Sequence, residues 1–245
     1  MADILEEIVA HKRIEIEQRK RFIQPRQMIT LTEQKMQEDG GKVPGGSMKE
    51  SLMNSETGIM LNSSANRLLR AGSNRKVSRA SSRSPTSRTE PRRSASSPTL
   101  ITSEDMMSIF RSAPCGVTLP ILYKNFVVEE YQLLQARYCG ASAVLLIAAC
   151  LTREECKQLM NMAHQLGMEV LLEMHNERDF EYAELEPDMY GINNRNLGTF
   201  FTDVENSFRL AEKLPKDVCR VSESGISNPQ TVLRLKRTKA ASEVS

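Results

Sequence analysis

Tryptophan is absent from this chain of 245 residues, and aromatic residues together make up only 5% of it. Histidine is nearly as scarce, with His11, His164 and His175 the full complement. His175 has no partner histidine spaced for a metal ion, and His11 and His164 sit in helical stretches, so all three read as structural. The five cysteines (Cys115, Cys139, Cys150, Cys156, Cys219) contain no CxxC pair and are odd in number. That speaks for reduced core thiols in a cytoplasmic protein rather than disulfides or a zinc site. No apolar run approaches the ~20 residues that span a bilayer, and the N-terminus has no signal-peptide core. A formal charge of +2 is near balance, so the molecule as a whole has no strong pull toward nucleic acid or membrane.

What is present falls into regions of different composition. Residues 1–59 open with Ile4, Leu5, Ile8, Val9 and Ile14 at helical spacing, an amphipathic helix. Glycine-rich loops at Gly40-Gly41 and Gly45-Gly46 follow, then a short helix around Met48–Met53. Residues 60–116 differ sharply: Asn62 to Pro98 holds nine Lys and Arg, one acid (Glu90) and many serines. Such a segment buries too little apolar surface to offset its ordering entropy and reads as a disordered basic Ser/Arg-rich insert. In residues 117–236, apolar runs at Leu119–Tyr123, Ala143–Ala149, Glu169–Leu172, Met189–Ile192 and Cys219–Val221 alternate with helical patterns. Thr152–Glu155 and Thr202–Glu205 fit capping boxes, and Asn228-Pro229 fits a helix start. This rhythm implies consecutive βαβ units, an α/β fold with a parallel sheet. The tail, residues 237–245, is polar and carries no strand signal.

Four strand ends carry chemistry-bearing groups. Lys124 follows Leu-Pro-Ile-Leu-Tyr, Glu173 follows Val170–Leu172, Asn193 and Arg195 follow Tyr190–Ile192, and Glu223 and Ser224 follow Val221-Ser222. A lone charge at a strand end is usually a solvated loop residue. Four in register on parallel strands converge on one small-molecule site, and a lysine facing two glutamates in a partly dry pocket supplies an acid with nearby bases. Ser224-Gly225 is a weak phosphate-contact signal through backbone N–H groups.

The segments LPILYKNFVVEEYQ, GASAVLLIAA, LGMEVLLEMHN, GINNRNLGTFFTDVE and VSESGI resemble indole-3-glycerol phosphate synthases, and the opening ILEEIVAHKR resembles the helical extension of that family. The resemblance implies a (β/α)8 TIM barrel, here incomplete and holding strands three to seven. It implies a cofactor-free carboxy-lyase of tryptophan biosynthesis that closes, decarboxylates and dehydrates 1-(2-carboxyphenylamino)-1-deoxyribulose 5-phosphate. Lys124 matches the general acid at ring closure, and Glu173 the glutamate that stabilises the cationic intermediate and assists proton removal. Asn193, Arg195 and Glu223 match residues that hold the anthranilate end and order the site, and Ser224 and Gly225 match part of the phosphate site. Asn125 departs from the family's usual aspartate.

The family's first-strand Glu-Phe-Lys, its Ser-Pro-Ser-Lys-Gly loop and its eighth-strand Gly-Glu-Ser loop have no counterpart in the chain. Residues 60–116 read instead as family sequence in a shifted frame. Deleting one base from a coding string for IAEFKRKSPSKGWI turns it into one for Met60–Ser73, and the same shift recovers second-strand sequence from Thr89–Thr99. A compensating change near Cys115–Val117 restores the frame, and the tail after Lys236 reads as a C-terminal truncation. A barrel lacking three strands has open edges, so impaired folding and activity are expected. The alternative is a nonenzymatic remnant or adaptor that binds RNA or acidic partners through the Ser/Arg segment; the lack of aromatic residues between Asn62 and Pro98 counts against base stacking.

Overall fold

The structure is a computed structural model that describes residues 4–55, 60–63, 68–71, 119–198, 201–226, 228–237 and 243–244. Its N-terminal part holds three helices: α1 (Ile4–Phe22), α2 (Pro25–Glu38) and α3 (Met48–Met53). The rest is a sheet of strands β1 (Met60–Ser63), β2 (Leu68–Ala71), β3 (Ile121–Tyr123), β4 (Ala143–Ile147), β5 (Glu169–Met174), β6 (Met189–Asn193), β7 (Cys219–Glu223) and β8 (Glu243–Val244), arranged in chain order. Helices α4 (Glu130–Tyr138), α5 (Arg153–Gln165), α6 (Glu205–Ala211) and α7 (Pro229–Arg237), with a 3-10 segment Glu177–Leu185, supply the crossovers.

Strands β3 to β7 are five parallel neighbours that form a half-barrel. Alternation along them splits the apolar residues between two cores. Leu122, Ala143, Leu145, Ile147, Leu171, Met189, Cys219 and Val221 point to the concave side, where Met48 and Leu52 of α3 fill the interior. Val144, Leu146, Val170, Leu172, Tyr190 and Ile192 point outward into the helix layer. Each fully buried Leu, Ile, Val or Met among them contributes about 1.5–3 kcal/mol.

The N-terminal helices are tied to this frame by polar contacts at a few points. Glu169, at the start of β5, accepts hydrogen bonds from Ser47 Oγ at 2.5 Å, Met48 N at 2.7 Å and Lys49 N at 3.0 Å, which caps α3 inside the half-barrel. The buried Arg137 guanidinium reaches Asp39 at 3.0 Å, the Lys42 carbonyl at 3.0 Å and the Leu166 carbonyl at 3.1 Å. Thr32 Oγ1 donates to the Leu134 carbonyl at 3.2 Å, joining α2 to α4.

Several sequence expectations need adjustment. The capping box at Thr152–Glu155 forms, and Asn228 Oδ1 caps the Gln230 N–H ahead of Pro229 as expected. The box at Thr202–Glu205 does not form, because Thr202 is drawn into an antiparallel bridge with Arg195; Asp203 caps Glu205 N at 3.0 Å instead. The polar tail carries no strand signal, yet Glu243–Val244 pairs with β7, since an unpaired edge offers N–H and C=O groups to any extended segment. The same pull places β1 and β2 beside β3, antiparallel where the family pattern implies parallel strands. The remainder of residues 60–116, on which the expectation of a shifted frame falls, lies outside the described residues. No helix among the described residues is long and apolar enough to cross a membrane.

Candidate active site

The alternation that builds the inner core also delivers the site. Lys124 lies two residues beyond Leu122, Glu173 two beyond Leu171, and Glu223 two beyond Val221, so each inherits the inward face of its strand. Asn193 lies four beyond Met189, with Gly191 between them. The strand ends therefore turn Lys124, Glu173 and Asn193 into one cavity of about 360 Å³, lined also by Asn125, Phe126, Leu145, Ile147, Arg195, Leu197 and Ser224, while Glu223 lies buried behind Lys124. Leu5 and Ile8 of α1 complete its wall.

Lys124 is the electrostatic centre. Its Nζ donates to Glu223 Oε2 and lies 3.9 Å from Glu173 Oε2. The carboxylates are almost fully buried, at 3% exposure for Glu173 and 1% for Glu223. Gly191 lets them sit together: a Cβ there would stand 3.1 Å from Glu223 Oε1 and 3.3 Å from both Leu171 Cδ1 and the Leu172 carbonyl. Burial pushes the Glu173 carboxyl up, but the adjacent His175, the Lys124 charge and the Asn193 amide outweigh it and hold Glu173 below the usual carboxylate value. Glu223 moves the other way, raised by burial and by the negative charge of Glu173 more than Lys124 can lower it. Burial works against the Lys124 ammonium, yet the two carboxylates hold its pKa above the ordinary lysine value. Environments that drive neighbouring groups apart in this way are ones in which acid and base can coexist.

The remaining candidate residues sit on the rim. Asn193 Nδ2 donates to Glu173 Oε1 at 3.0 Å, while its Oδ1 accepts the Arg195 N–H at 3.0 Å. That turn leaves Arg195 exposed at the pocket edge. Ser224 (φ 68°) and Gly225 (φ 74°) take the left-handed conformation directly after β7. A Cβ on Gly225 would stand 2.4 Å from Thr202 Cγ2, so the close approach of these loops also requires glycine.

Two features escaped the sequence reading. Asn194 is a buried hub beneath the site: Nδ2 donates to Ser222 Oγ and to the Ser224 carbonyl, both at 3.1 Å, and Oδ1 accepts from Ser207 N at 3.1 Å and Ser207 Oγ at 2.8 Å. It locks the end of β6 to β7 and α6. His175, read as structural, lies with Nε2 3.1 Å from Glu173 Oε1. The signal was available, since residues two apart along an extended chain share a face. His164 pairs at 2.8 Å with Asp188, away from the pocket. Among the described residues no group of three or more His, Cys, Asp or Glu side chains is arranged to hold a metal ion.

Comparison with known proteins gives the family of the chain. The family model for indole-3-glycerol phosphate synthase matches residues 103–242. The synthase of Bacteroides thetaiotaomicron is 44% identical over 241 residues, covering 96% of this chain and 88% of that protein. The chain belongs to the indole-3-glycerol phosphate synthase family. The synthase of Magnetococcus marinus is 47% identical over 121 residues, 49% of this chain and 45% of its own length. That of Salinibacter ruber is 43% identical over 119 residues, 48% and 44% respectively. The family is one of α/β carboxy-lyases, in keeping with the half-barrel of parallel strands.

Proposed function

We propose that this pocket performs the carboxy-lyase reaction of the family, converting 1-(2-carboxyphenylamino)-1-deoxyribulose 5-phosphate to indole-3-glycerol phosphate, carbon dioxide and water. The observation that carries the proposal is a lysine set between two buried carboxylates at the strand ends of a parallel half-barrel. In ring closure the anthranilate ring carbon attacks the ketone carbon, and negative charge gathers on the ketone oxygen. Lys124, held protonated by Glu173 and Glu223, supplies the proton. Glu173, held ionised, stabilises the cationic intermediate until carbon dioxide leaves and restores the benzene ring, and then assists removal of the carbon-bound proton that departs with the new hydroxyl as water, completing the indole. The apolar wall of Phe126, Leu145, Ile147 and Leu197 suits the flat aromatic ring and strengthens electrostatic contacts by keeping water away.

Arg195 at the rim suits the carboxylate of the anthranilate moiety as a charge-assisted donor. Asn193 orders that turn through its paired contacts to Glu173 and the Arg195 backbone. Glu223 orders Lys124, and the N–H groups around Ser224 and Gly225 serve the phosphate. The substrate phosphosugar is the partner this reading assigns, with cytoplasmic residence.

The absent first-strand Glu and Lys are half of the family's acid–base set, so slow turnover belongs to the same proposal, as does a shifted reading frame across residues 60–116. Resequencing the gene across the codons for Met60 and Cys115 tests the frame. For the chemistry, the purified chain is mixed with the substrate and indole formation followed by fluorescence. The expected result is slow product formation that falls at least ~10²-fold in Lys124→Met. Equal rates in wild type and Lys124→Met would overturn the assignment.

A further inference from the structure

The imidazole of His175 is used by none of the steps above, yet it is buried beside the group that carries several of them. Its side chain is 8% exposed, and each ring nitrogen faces a carboxylate. Nε2 lies 3.1 Å from Glu173 Oε1 and Nδ1 lies 4.0 Å from Asp179 Oδ2. Neither nitrogen makes an aligned hydrogen bond with any described residue. A buried imidazole between two acids is costly unless it does something for one of them.

The loop is fixed independently of the ring. Asp179 Oδ2 accepts the His175 N–H at 2.7 Å and the Asn176 N–H at 3.3 Å, and Asn206 Nδ2 donates to the His175 carbonyl at 3.2 Å. The backbone thus presents the ring to Glu173, and replacement of the side chain leaves these ties in place. On the other side, the two oxygens of Glu173 are divided. Oε1 lies against Asn193 Nδ2 and His175 Nε2, while Oε2 faces Lys124 at 3.9 Å.

We propose that His175 is a positioning residue that, together with Asn193, clamps Oε1 of Glu173, so that Oε2 alone is turned toward Lys124 and the substrate. Without the ring, Glu173 rotates about its terminal bond and its free oxygen no longer has a fixed place. The charged and titratable groups that bear on the ring are Glu173 of β5, Asp179 of the 3-10 segment and, through Glu173, Lys124 after β3 and Glu223 of β7. The ring beside Oε1 favours the ionised form of Glu173. This inference rests on the catalytic reading for its kinetic consequence, but the contact itself can be tested without turnover.

The experiment compares wild type, His175→Leu and His175→Gln, each labelled with carbon-13 at the glutamate side-chain carboxyl. The Glu173 resonance is assigned by its loss in Glu173→Gln. Leu removes the polar ring; Gln restores a donor near the place of Nε2. The expected result is that the Glu173 titration midpoint rises by at least about one pH unit in His175→Leu and by less in His175→Gln. Should the Leu variant fail to fold by circular dichroism, the Gln variant decides alone, with a smaller upward move expected. An unchanged midpoint in a folded variant overturns the proposal. In the turnover assay kcat should fall about tenfold in His175→Leu, short of the ~10²-fold that follows a full ångström of misplacement. KM should stay within about twofold, and His175→Gln should recover part of kcat. A wild type without turnover but with the midpoint shifts refutes the catalytic reading and leaves the clamp standing; normal turnover with no shifts does the reverse.

Discussion

Replacing Lys124 by methionine keeps the length of the side chain and removes the cation that lies between Glu173 and Glu223. At 3.9 Å, the Lys124–Glu173 attraction alone is about 4 kcal/mol before desolvation is counted, at an effective dielectric constant near 20. Breaking a buried pair by removing one partner costs about 3–5 kcal/mol, because the remaining charge stays buried. Lys124 is 32% exposed at its side chain, so solvent screening brings the expected loss to about 2–3 kcal/mol. Glu223, already raised by burial and by Glu173, is the group that takes up a proton in the variant. Its folded pKa then lies above its unfolded value, so the folded state binds more protons than the unfolded state between the two. Stability of the variant falls as pH rises through that window and recovers toward acid, by no more than about 1.4 kcal/mol per pH unit. Urea unfolding at pH 5 and pH 8 measures this. The deficit of Lys124→Met should be larger at pH 8, and adding Glu223→Gln should return most of it while activity stays lost. A single variant as stable as wild type at pH 8, or a double variant no more stable than the single, refutes the reasoning.

Three other perturbations probe what surrounds the site. Gly191→Ala places a methyl group 3.1 Å from Glu223 Oε1 and 3.3 Å from the Leu172 carbonyl; it should cost about 1–3 kcal/mol in urea unfolding and depress kcat by displacing Glu223. Glu169→Ala removes three hydrogen bonds at the start of α3 and should cost about 2 kcal/mol, whereas a loss below ~0.5 kcal/mol would mean that α3 is held by apolar packing alone. Gly225→Ala forces a methyl group into Thr202 at a positive φ; it should lower Tm and weaken inhibition by inorganic phosphate, read as an increased half-inhibitory concentration.

Much of this site was legible because a strand leaves a simple trace in sequence. Leu122, Leu171 and Val221 are buried inward, and the polar residue two places on must share their face, which fixes Lys124, Glu173 and Glu223 without coordinates. Local capping chemistry was equally readable at Thr152–Glu155, where both hydrogen bonds lie within four residues. Thr202–Glu205 carries the same letters but lost its box to a bridge with Arg195; a tertiary contact overrode a local preference. The cap of α3 by Glu169 joins residues more than a hundred positions apart, and no local pattern announces it. The inward wall formed by Leu5 and Ile8 is similar, since an amphipathic helix shows that it has an apolar face but not what covers that face. His175 reads as structural in the sequence because it has no partner histidine, yet its place two residues beyond Glu173 sets it against that carboxylate.

The most direct test of a shared pocket is equilibrium binding of the substrate with its ketone reduced to an alcohol, which cannot cyclise, followed by titration calorimetry. Wild type should bind it, and Arg195→Ala should weaken binding at least about tenfold, or 1.4 kcal/mol, through loss of a charge-assisted contact. Asn193→Ala should weaken it as well by freeing the Arg195 turn. Failure of the wild type to bind, or identical affinities in all three proteins, would contradict the convergence of these strand ends on one substrate.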